Sequence, residues 1–492
     1  MEQVVNWING VVWSNALVFF CLGVGIFYSI VTRFTQIRNL KHMFQLLFKD
    51  KASEEGVSSF QAFNLSLGNK IGVGNIAGVA TAIAFGGPGA VFWIWVMAFL
   101  GASTAFIETT LGQVYKTKEG SQYRGGASYY IEKGLNLKWC AVIFAIIFAV
   151  ATGLFLPGAQ ANTISTALEY AFGIHPAFSG IGLVIILGII IFGAVTRIAR
   201  TAEILVPFMA IAYILMSLFI VFSNLSELPD VISLIFSSAF GTHAVFGGLV
   251  GSAISFGVMR GVYSNAAGTG MDTYASGAAE VSHPAKQGLV QSFSVYVDTL
   301  LVCSATAFMI LITGMYNVTP EGSEPLVMNL TNTEAGTLYT QQAVESVIPG
   351  FGAAFVAVTL LFFAFTTLLA FYYMAETNLV YIGRKIKTSW LIMGLKIGFL
   401  ASVYFSSINT AQIAWAIGDI GLGSIAWLNL FFILFLTKPA LKVLKDYEVQ
   451  HKEGKTPVFN PRKLGIKNAE FWEEKYNNIT KHKEERDSED VI

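Results

Sequence analysis

The sequence predicts an all-α integral membrane protein with about eleven transmembrane helices, two of which are interrupted. The chain has 492 residues, of which 54% are hydrophobic and only 13% are charged, whereas soluble proteins usually have about 25% charged residues. The mean hydropathy is +0.60. Long apolar runs recur without the period of two that a membrane β-barrel needs. This composition excludes a soluble globular protein, and the lack of a basic stripe with interleaved aromatic residues argues against a nucleic acid partner.

The apolar runs are the candidate spans, each long enough for a helix to cross the bilayer. They cover residues 16–32, 60–85, 90–114, 139–170, 177–195, 202–222, 244–270, 288–313, 349–380, 390–407 and 410–436. The first run follows an acidic start, and no small-residue cleavage site ends it, so we interpret it as a retained helix and not a signal peptide. The three cysteines lie in or beside such runs and are interpreted as small hydrophobic residues.

The charges of the loops predict the orientation. Lys and Arg concentrate in alternate loops, and the loops between them contain none; the basic positions lie within 33–51, 116–138, 197–200, 286 and 384–387. Because cytoplasmic loops carry this excess, we expect a multi-pass protein of the cell membrane with its N-terminus outside and its C-terminus in the cytoplasm. Residues 316–348 are then an external loop. Residues 438–492 form a charged tail, and its end at 481–490 is expected to be disordered.

Two spans contain stretches that are poor material for a continuous helix. Residues 68–78 read GNKIGVGNIAG, and residues 257–270 read GVMRGVYSNAAGTG. When the first span is set aside, the two stretches fall in the first and sixth helices of a five-plus-five arrangement. Interrupted helices at matching positions of two halves indicate the binding site of a transporter, because freed N–H groups attract a carboxylate and freed carbonyls attract a cation. The alternative is that these glycines only allow helices to pack closely.

Several polar residues within the spans have two interpretations each. Thr366 and Thr367 could complete a sodium site or bond to carbonyls of their own helix. Lys70, a possible coupling charge, could replace a second sodium ion or hold a carboxylate, or it could pair with an acidic residue of a neighbouring helix. We also expect Arg260 and Glu108 to pair with each other. Two further acidic residues are expected near helix ends, namely Asp298 and Asp419.

Five stretches of the sequence resemble the alanine/glycine:cation symporter family. The longest is GNIAGVATAIAFGGPGAVFWIWVMAFLG at residues 74–101. The others are RGGASYYIEKGL at 124–135, QANTI at 160–164, SHPAKQG at 282–288 and VDT at 297–299. The resemblance implies a leucine-transporter-like fold with one extra N-terminal helix. Residues 1–52 would then hold that helix and a basic loop, 53–223 and 224–437 two inverted five-helix repeats, and 438–492 the tail.

The same resemblance implies a function and a set of site residues. Members of the family couple uptake of a small amino acid, such as alanine or glycine, to sodium or sometimes protons by alternating access, so we expect no cofactor apart from the co-transported sodium ion. The partners that we expect are the amino acid, the sodium ion and the lipid bilayer; the sequence does not fix the oligomeric state, and a monomer is the favoured interpretation. The implied sodium ligands are the carbonyls of Gly68, Ile71 and Phe363 with the hydroxyls of Thr366 and Thr367. The implied substrate contacts are the backbone of Val73, Gly74 and Asn75 for the carboxylate, the Gln160 side chain, Gly261 and Asn265 for the amino group, and Phe371 as a cap.

Departures from the family pattern keep other functions open. Val73 stands where the family usually has Thr, Phe371 replaces a common Trp, and residues 265–268 and 270–273 read NAAG and GMDT in place of Asn-Glu-Ala-Gly and Gly-Ser-Ala-Pro. A larger substrate such as glutamine, or coupling to protons, therefore remains an alternative. A membrane-embedded enzyme is a distant alternative, because no His-Glu-x-x-His, phosphate loop or Gly-x-Ser-x-Gly is present. A channel is disfavoured because no rings of pore-lining charge are present.

Overall fold

The computed structural model describes residues 2–49, 56–119, 122–192, 196–320, 324–331, 333–385 and 389–474. Helices make up most of the described chain, as the composition predicts. The segment 481–490, which we expected to be disordered, lies outside the described residues.

The described N-terminal part of the chain forms four helices before the first interrupted helix. They are α1 Glu2–Val12, α2 Asn15–Val31, α3 Thr35–Arg38 and α4 Leu40–Lys49. The first predicted span corresponds to α2, but α1 was missed. The two helices form one apolar stretch, Gln3–Val31, and the indole of Trp13 between them donates a hydrogen bond to the carbonyl of Asp419 at 2.8 Å.

The next eight helices follow the predicted spans with an added short helix, α8. They are α5 Ser59–Lys70, α6 Val79–Gly86, α7 Ala90–Val114, α8 Ala127–Leu135, α9 Lys138–Val150, α10 Leu156–Phe172, α11 Pro176–Ile191 and α12 Thr196–Ser223. Two π-helical turns are built into this part, Gly74–Gly78 before α6 and Ala151–Phe155 between α9 and α10. Such turns are rare and are frequent at functional sites.

From residue 228 to residue 474, the described chain contains eleven helices. They are α13 Leu228–Ala239, α14 Val250–Asn265, α15 Asp272–Ala278, α16 Pro284–Val295, α17 Ser304–Thr313, α18 Thr337–Val347, α19 Gly352–Ile382, α20 Ser389–Ser407, α21 Ala411–Phe435, α22 Thr437–Lys452 and α23 Pro461–Leu464. A π-helical segment, Tyr296–Cys303, joins α16 to α17, and short 3₁₀ turns lie at Gly247–Leu249 and Gly383–Lys385. In the described residues the strands form two short antiparallel pairs: β1 Thr117–Glu119 with β2 Gln122–Arg124, and β3 Asn317–Val318 with β4 Val327–Met328.

Among the described residues, eight helical segments are long and apolar enough to cross a membrane, and three shorter apolar helices accompany them: Gly74–Gly86, Pro176–Ile191 and Leu228–Ala239. Large hydrophobic side chains stay exposed on the outer surface, such as Trp139, Phe178 and Phe222 at 81%, 70% and 68%. So many exposed apolar side chains are expected of a surface that faces lipid. The predicted runs 60–85 and 244–270 are absent from the eight long segments because both are interrupted. The helix Leu228–Ala239 lies between the predicted runs 202–222 and 244–270, where we predicted no span.

The first predicted break lies within residues 68–78. Helix α5 ends at Lys70, and Ile71 is extended with φ −71° and ψ 95°. The chain resumes helical geometry at the π-helical turn that begins at Gly74. All residues from 67 to 84 are buried, so the interruption lies inside the protein and not against lipid.

The second break is shorter than predicted. Helix α14 runs without interruption through residues 257–265, and the chain unwinds only between Asn265 and Asp272. Left-handed backbone marks the unwound segment, with φ +55° at Ala266, +85° at Gly268 and +81° at Gly270. Glycine adopts this conformation without the steric penalty that other residues have, so the glycines at the end of the predicted stretch are the ones that allow the break.

The tail forms ordered structure that the sequence analysis did not predict. Helices α22 and α23 fold back on the body of the protein, where Trp472 Nε1 donates to the carbonyl of Gln113 at 2.9 Å. Arg38 pairs with Glu448 at 2.8 Å, and further contacts reach the loop before α16. The described part of the tail, up to residue 474, is therefore a docked extension.

Candidate functional site

The predicted sodium ligands converge beside the first break. Helix α19 places the Thr367 hydroxyl 2.9 Å from the carbonyl oxygen of Gly68 and 3.5 Å from that of Ile71, both in the interrupted helix. The same hydroxyl lies 3.1 Å from the carbonyl oxygen of Phe363. Thr366 donates to Phe363 O at 2.8 Å. Thr366 thus makes the bond within its own helix that was the alternative interpretation, whereas Thr367 also reaches across to the unwound chain.

Gln160 meets the first break from α10. Its Oε1 accepts the N–H of Val73 at 3.2 Å, and Asn75 Oδ1 accepts the N–H of Gly72 at 3.0 Å. A Cβ atom at Gly72 would lie 2.6 Å from Thr367 Oγ1 and 3.1 Å from Gln160 Oε1. Only glycine fits at position 72. Because both atoms are this close to Gly72, the predicted sodium ligand Thr367 and the predicted substrate contact Gln160 lie beside each other.

The second interrupted helix approaches the first break through other residues than those predicted. A Cβ atom at Gly74 would lie 2.9 Å from the Tyr263 ring. Gly261 instead packs on Met97 of α7. Asn265 also faces α7 and closes its own helix end, because its Oδ1 accepts the N–H of the residue two positions later at 2.9 Å and its Nδ2 lies 3.5 Å from the carbonyl of Met97.

Helix periodicity explains this correction. Gly261 and Asn265 are four residues apart and share one face of α14, which is the face against α7. Tyr263 and Ser264 lie on the neighbouring face toward the first break. Gly261 and Asn265, which we predicted to contact the substrate amino group, therefore lie against α7 in this structure, and Tyr263 and Ser264 lie between them and the first break.

Phe371 lies on α19 one helical turn beyond Thr367 and is 4% exposed. Residues four apart lie on the same face of a helix, so its ring is on the face of α19 that carries Thr367. This position is compatible with the predicted cap, which stays a prediction.

Arg260 does not pair with Glu108. Its guanidinium bonds to both carboxylate oxygens of Asp419 at 2.8 and 3.1 Å and lies 4.6 Å from the ring centroid of Trp415. Tyr263 packs on the same indole, with ring centroids 5.2 Å apart. Asp419 is buried within α21 and not at a helix end. The sequence analysis missed Tyr263 and Trp415, since no motif marks an aromatic pair so far apart in the chain.

Lys70 pairs with Asp272, which is the alternative that we left open. The ammonium lies 2.7 Å from Asp272 Oδ2, and both side chains are fully buried. Ser294 Oγ lies 2.6 Å from the ammonium, and Ser66 Oγ donates to Asp272 Oδ1 at 2.7 Å. The pair joins the end of α5 to the start of α15, so it connects the two interrupted helices directly at their breaks.

Asp298 contacts both interrupted helices. Asn75 Nδ2 donates to its Oδ1 at 2.7 Å, and Ser264 Oγ and Thr299 Oγ1 donate to its Oδ2 at 2.6 and 2.8 Å. The residue is fully buried in the π-helical segment between α16 and α17. We expected Asp298 near a helix end, and this is wrong because the π-helical segment continues the helix on both sides.

Glu108 lies against the second break. Its carboxylate accepts the N–H of Gly268 at 3.1 Å and the N–H of Gly270 at 3.0 Å. Asn429 Nδ2 donates to it at 2.8 Å. The N–H groups of the second break are thus held by a carboxyl group of α7, whereas those of Gly72 and Val73 in the first break are held by the neutral amides of Asn75 and Gln160.

Comparison with known proteins identifies the transporters that this chain is similar to. The model of the sodium:alanine symporter family matches residues 1–461. The putative sodium/proton-dependent alanine carrier of Bacillus subtilis (strain 168) is 57% identical over 476 residues, which cover 97% of this chain and 98% of that protein. The sodium/proton-dependent alanine carrier of Bacillus sp. (strain PS3) is 52% identical and covers 88% of this chain and 98% of its own.

A solved structure shares the fold. The manganese transporter of Eremococcus coleocola superposes with a TM-score of 0.52 over 80% of this chain and 87% of its own, at 13% sequence identity. The fold is the leucine-transporter-like fold that the resemblance implied. At this identity the likeness concerns the fold alone.

Proposed function

Because this chain belongs to the sodium:alanine symporter family, we propose that it binds sodium and alanine together at the first break and carries both into the cell. It is a multi-pass membrane protein and a secondary active transporter, not an enzyme. The observation that carries the assignment is the position of the Thr367 hydroxyl. It lies within 3.5 Å of carbonyl oxygens from α19 and from the interrupted helix.

In the sodium-bound state, the carbonyl oxygens would coordinate the ion and would no longer accept a hydrogen bond from the Thr367 hydroxyl. A threonine hydroxyl can rotate and offer a lone pair, so Thr366 and Thr367 would add two oxygens to those of Gly68, Ile71 and Phe363. Unwound carbonyls and half-helix ends are the ligands that such transporters use for sodium. The bound ion would hold α19 against α5, and its departure would let these helices separate.

The substrate carboxylate is proposed to bind the backbone of Val73, Gly74 and Asn75. In the described structure Gln160 Oε1 holds the N–H of Val73 at 3.2 Å, and the incoming carboxylate would take over this donor. The freed amide of Gln160 would then contact the substrate. The second break is a poorer carboxylate site because Glu108 already accepts its N–H groups.

Alanine is the proposed substrate and glutamine is the second candidate. Val73 is fully buried and Phe371 is 4% exposed, so both are apolar walls that suit a methyl side chain. They offer no hydrogen bond to a side-chain amide, and an amide that loses its water without a new partner costs roughly 1–3 kcal/mol. For the wall that faces Val73 we propose Tyr263 and Ser264 in place of Gly261 and Asn265.

The buried pair of Lys70 and Asp272 is proposed to act as a fixed clamp and coupling charge. Lys70 belongs to the same interrupted helix as Gly68 and Ile71, and its ammonium supplies the positive charge that balances Asp272. The ion pair joins the two interrupted helices, so they are expected to move together at this point.

The membrane potential supplies energy for transport. One sodium ion that crosses 100 mV supplies about 2.3 kcal/mol, which corresponds to a roughly fortyfold accumulation of alanine at equilibrium.

The arrangement in the membrane completes the proposal. We place the protein in the cell membrane as a monomer, with the N-terminus outside and the docked tail in the cytoplasm, as the loop charges predict. Residues 53–223 and 224–437 are proposed as the two inverted repeats, with 1–52 as the extra N-terminal region.

The test is uptake of labelled amino acids into proteoliposomes that contain the purified protein. We expect concentrative alanine uptake with an inward sodium gradient, little uptake when choline replaces sodium, and competition by glycine more than by glutamine. A chain that accumulates glutamine but not alanine would correct the substrate. Absence of sodium-stimulated uptake for the whole panel would overturn the proposed function.

A further inference from the structure

The buried carboxylate of Glu108 holds the unwound segment between α14 and α15. Its Oε1 accepts the N–H of Gly268 at 3.1 Å, and its Oε2 accepts the N–H of Gly270 at 3.0 Å. Asn429 of α21 donates to Oε2 at 2.8 Å and to the carbonyl of Gly268 at 2.9 Å. The Tyr130 hydroxyl donates to Asn429 Oδ1, which directs the Asn429 amide nitrogen toward Glu108. Two intact helices thus hold the break from opposite sides.

The donors around Glu108 favour its carboxylate form in this conformation. Backbone N–H groups and an amide NH2 can only donate, and they supply three donors to the two carboxylate oxygens. A protonated carboxyl would bring a further hydrogen that needs an acceptor, and these three partners offer none. The hydrogen bonds that hold Gly268 and Gly270 are therefore strongest when Glu108 is a carboxylate.

This carboxylate has no counter-cation among the residues that the structure describes. Lys70 pairs with Asp272 at 2.7 Å, and Arg260 pairs with Asp419 at 2.8 Å. The titratable groups that interact with Glu108 from the helices packed around it are Asp272 of α15, Tyr130 of α8 and Tyr28 of α2. None of these three is a cation, and α21 contributes only the neutral Asn429. When Glu108 is ionised, the group formed by Lys70, Asp272 and Glu108 therefore carries one excess negative charge inside the membrane.

We propose that Glu108 is the binding site of a coupled proton, and that protonation releases the second interrupted helix. If the segment moved away while Glu108 stayed charged, a carboxylate without partners would remain in a medium of low dielectric constant, which is strongly unfavourable. Transfer of a proton from a hydronium ion forms the O–H bond of the neutral acid, breaks the O–H bond of the donor, releases water and removes this obstacle. By linkage, opening of the break raises the affinity of Glu108 for the proton, and proton binding favours opening.

Asp298, the other buried carboxylate without a cation partner in the described structure, does not share this property. Two of its three donors are the hydroxyls of Ser264 and Thr299. A hydroxyl can rotate and accept a hydrogen bond, so this cluster accommodates either protonation state of Asp298. The inference about Glu108 rests on the proposed cation-coupled alanine uptake and names a site for the second coupling ion.

The test measures protons and alanine together. Proteoliposomes with a trapped pH dye receive alanine from outside, and the number of protons that enter per alanine is recorded for the wild type, Glu108→Gln and Asp298→Asn. We expect the wild type to acidify the lumen with alanine, Glu108→Gln to lower the proton-to-alanine ratio at least tenfold, and Asp298→Asn to keep the ratio whatever its uptake rate. An unchanged ratio in Glu108→Gln, or its loss in Asp298→Asn alone, would overturn the inference.

A second measurement does not depend on transport by the variant. Hydrogen exchange of residues 266–271, corrected for the intrinsic pH dependence of exchange, should increase at acidic pH in the wild type and should be high at all pH values in Glu108→Gln. Protection that stays the same at all pH values in the wild type contradicts the proposal, even if the variant is inactive. If the wild type shows sodium-driven alanine uptake with no proton entry, only this inference fails, whereas absence of alanine uptake under either gradient is a failure of the proposed function.

Discussion

Replacement of Thr367 by valine tests the sodium site with the smallest change of shape. Valine keeps the branched outline but removes the hydroxyl, which lies 2.9 Å from Gly68 O and 3.1 Å from Phe363 O. The side chain is buried, at 1% exposure, so water does not readily replace the missing oxygen. A hydrogen bond or ligand contact that involves a charge contributes roughly 1.5–3 kcal/mol to the free energy of the interaction, here the binding of sodium. At about 1.4 kcal/mol per tenfold, the sodium affinity should fall roughly 10- to 150-fold.

The assay is the initial rate of alanine uptake into proteoliposomes as a function of external sodium. We expect the half-saturating sodium concentration of Thr367→Val to rise by this factor. The maximal rate at saturating sodium should change much less. Thr359→Val is the matched control, because Thr359 is equally buried in α19 and its hydroxyl bonds only to Phe355 O of its own helix, at 2.8 Å.

Two results would refute this reasoning about the sodium site. The first is an unchanged half-saturating sodium concentration in Thr367→Val. The second is an equal rise in Thr359→Val, which would show that any lost hydroxyl in α19 has the same effect. Comparison with Thr366→Val then tells whether the hydroxyl that bonds to its own helix also binds the ion.

Three further predictions concern other parts of the molecule. Lys70→Ala should lower thermal stability strongly, because an uncompensated buried carboxylate costs roughly 3–5 kcal/mol; the double variant with Asp272→Ala should recover most of it, and equal melting temperatures of the two variants would contradict the clamp. Gln160→Ala should raise the alanine KM with little change in half-saturating sodium, and the reverse pattern in uptake kinetics would move Gln160 to the ion site. Burial holds the pKa of His283 below its ordinary value, so folding favours its neutral form, whose Nδ1 accepts the N–H of Ala285 at 3.2 Å. This stabilisation is present above the unfolded value of about 6.5 and is lost as pH falls below it, so protection of residues 437–474 in hydrogen exchange should decrease at acidic pH, and constant protection down to pH 5 would exclude it.

The breaks and the oxygen cluster were within reach of the sequence because local composition produces them. Glycine runs and adjacent threonines are signals that can be read along the chain, and the position of Thr367 beside Gly68 agrees with them. The sequence did not predict which neighbouring helix each face of α14 contacts, because this depends on the rotation of the helix about its axis. That rotation turned Gly261 and Asn265 toward α7.

The partners of the buried charges also required the structure. Lys70 and Asp272 belong to different interrupted helices, and Arg260 and Asp419 to α14 and α21, so no spacing in the sequence connects them. Asp272 lies at a position where the resembling family usually has a small residue, and this departure is explained by its pairing with Lys70. The role of Glu108 was hidden because its donors are backbone N–H groups, which leave no trace in the residue pattern.

The docked tail restricts how the loops at its end of the molecule can move. It contacts the end of α7 through Trp472, the end of α3 through Glu448, and the loop before α16 through Asp446, which lies 3.3 Å from His283. These anchoring points belong to the N-terminal region and to both halves of the chain, so any motion that spreads them must first detach the tail. A reporter or purification tag that replaces the tail directly after α21 would therefore remove the contacts that connect these three regions. A tag fused beyond residue 474 would leave the contacts in place.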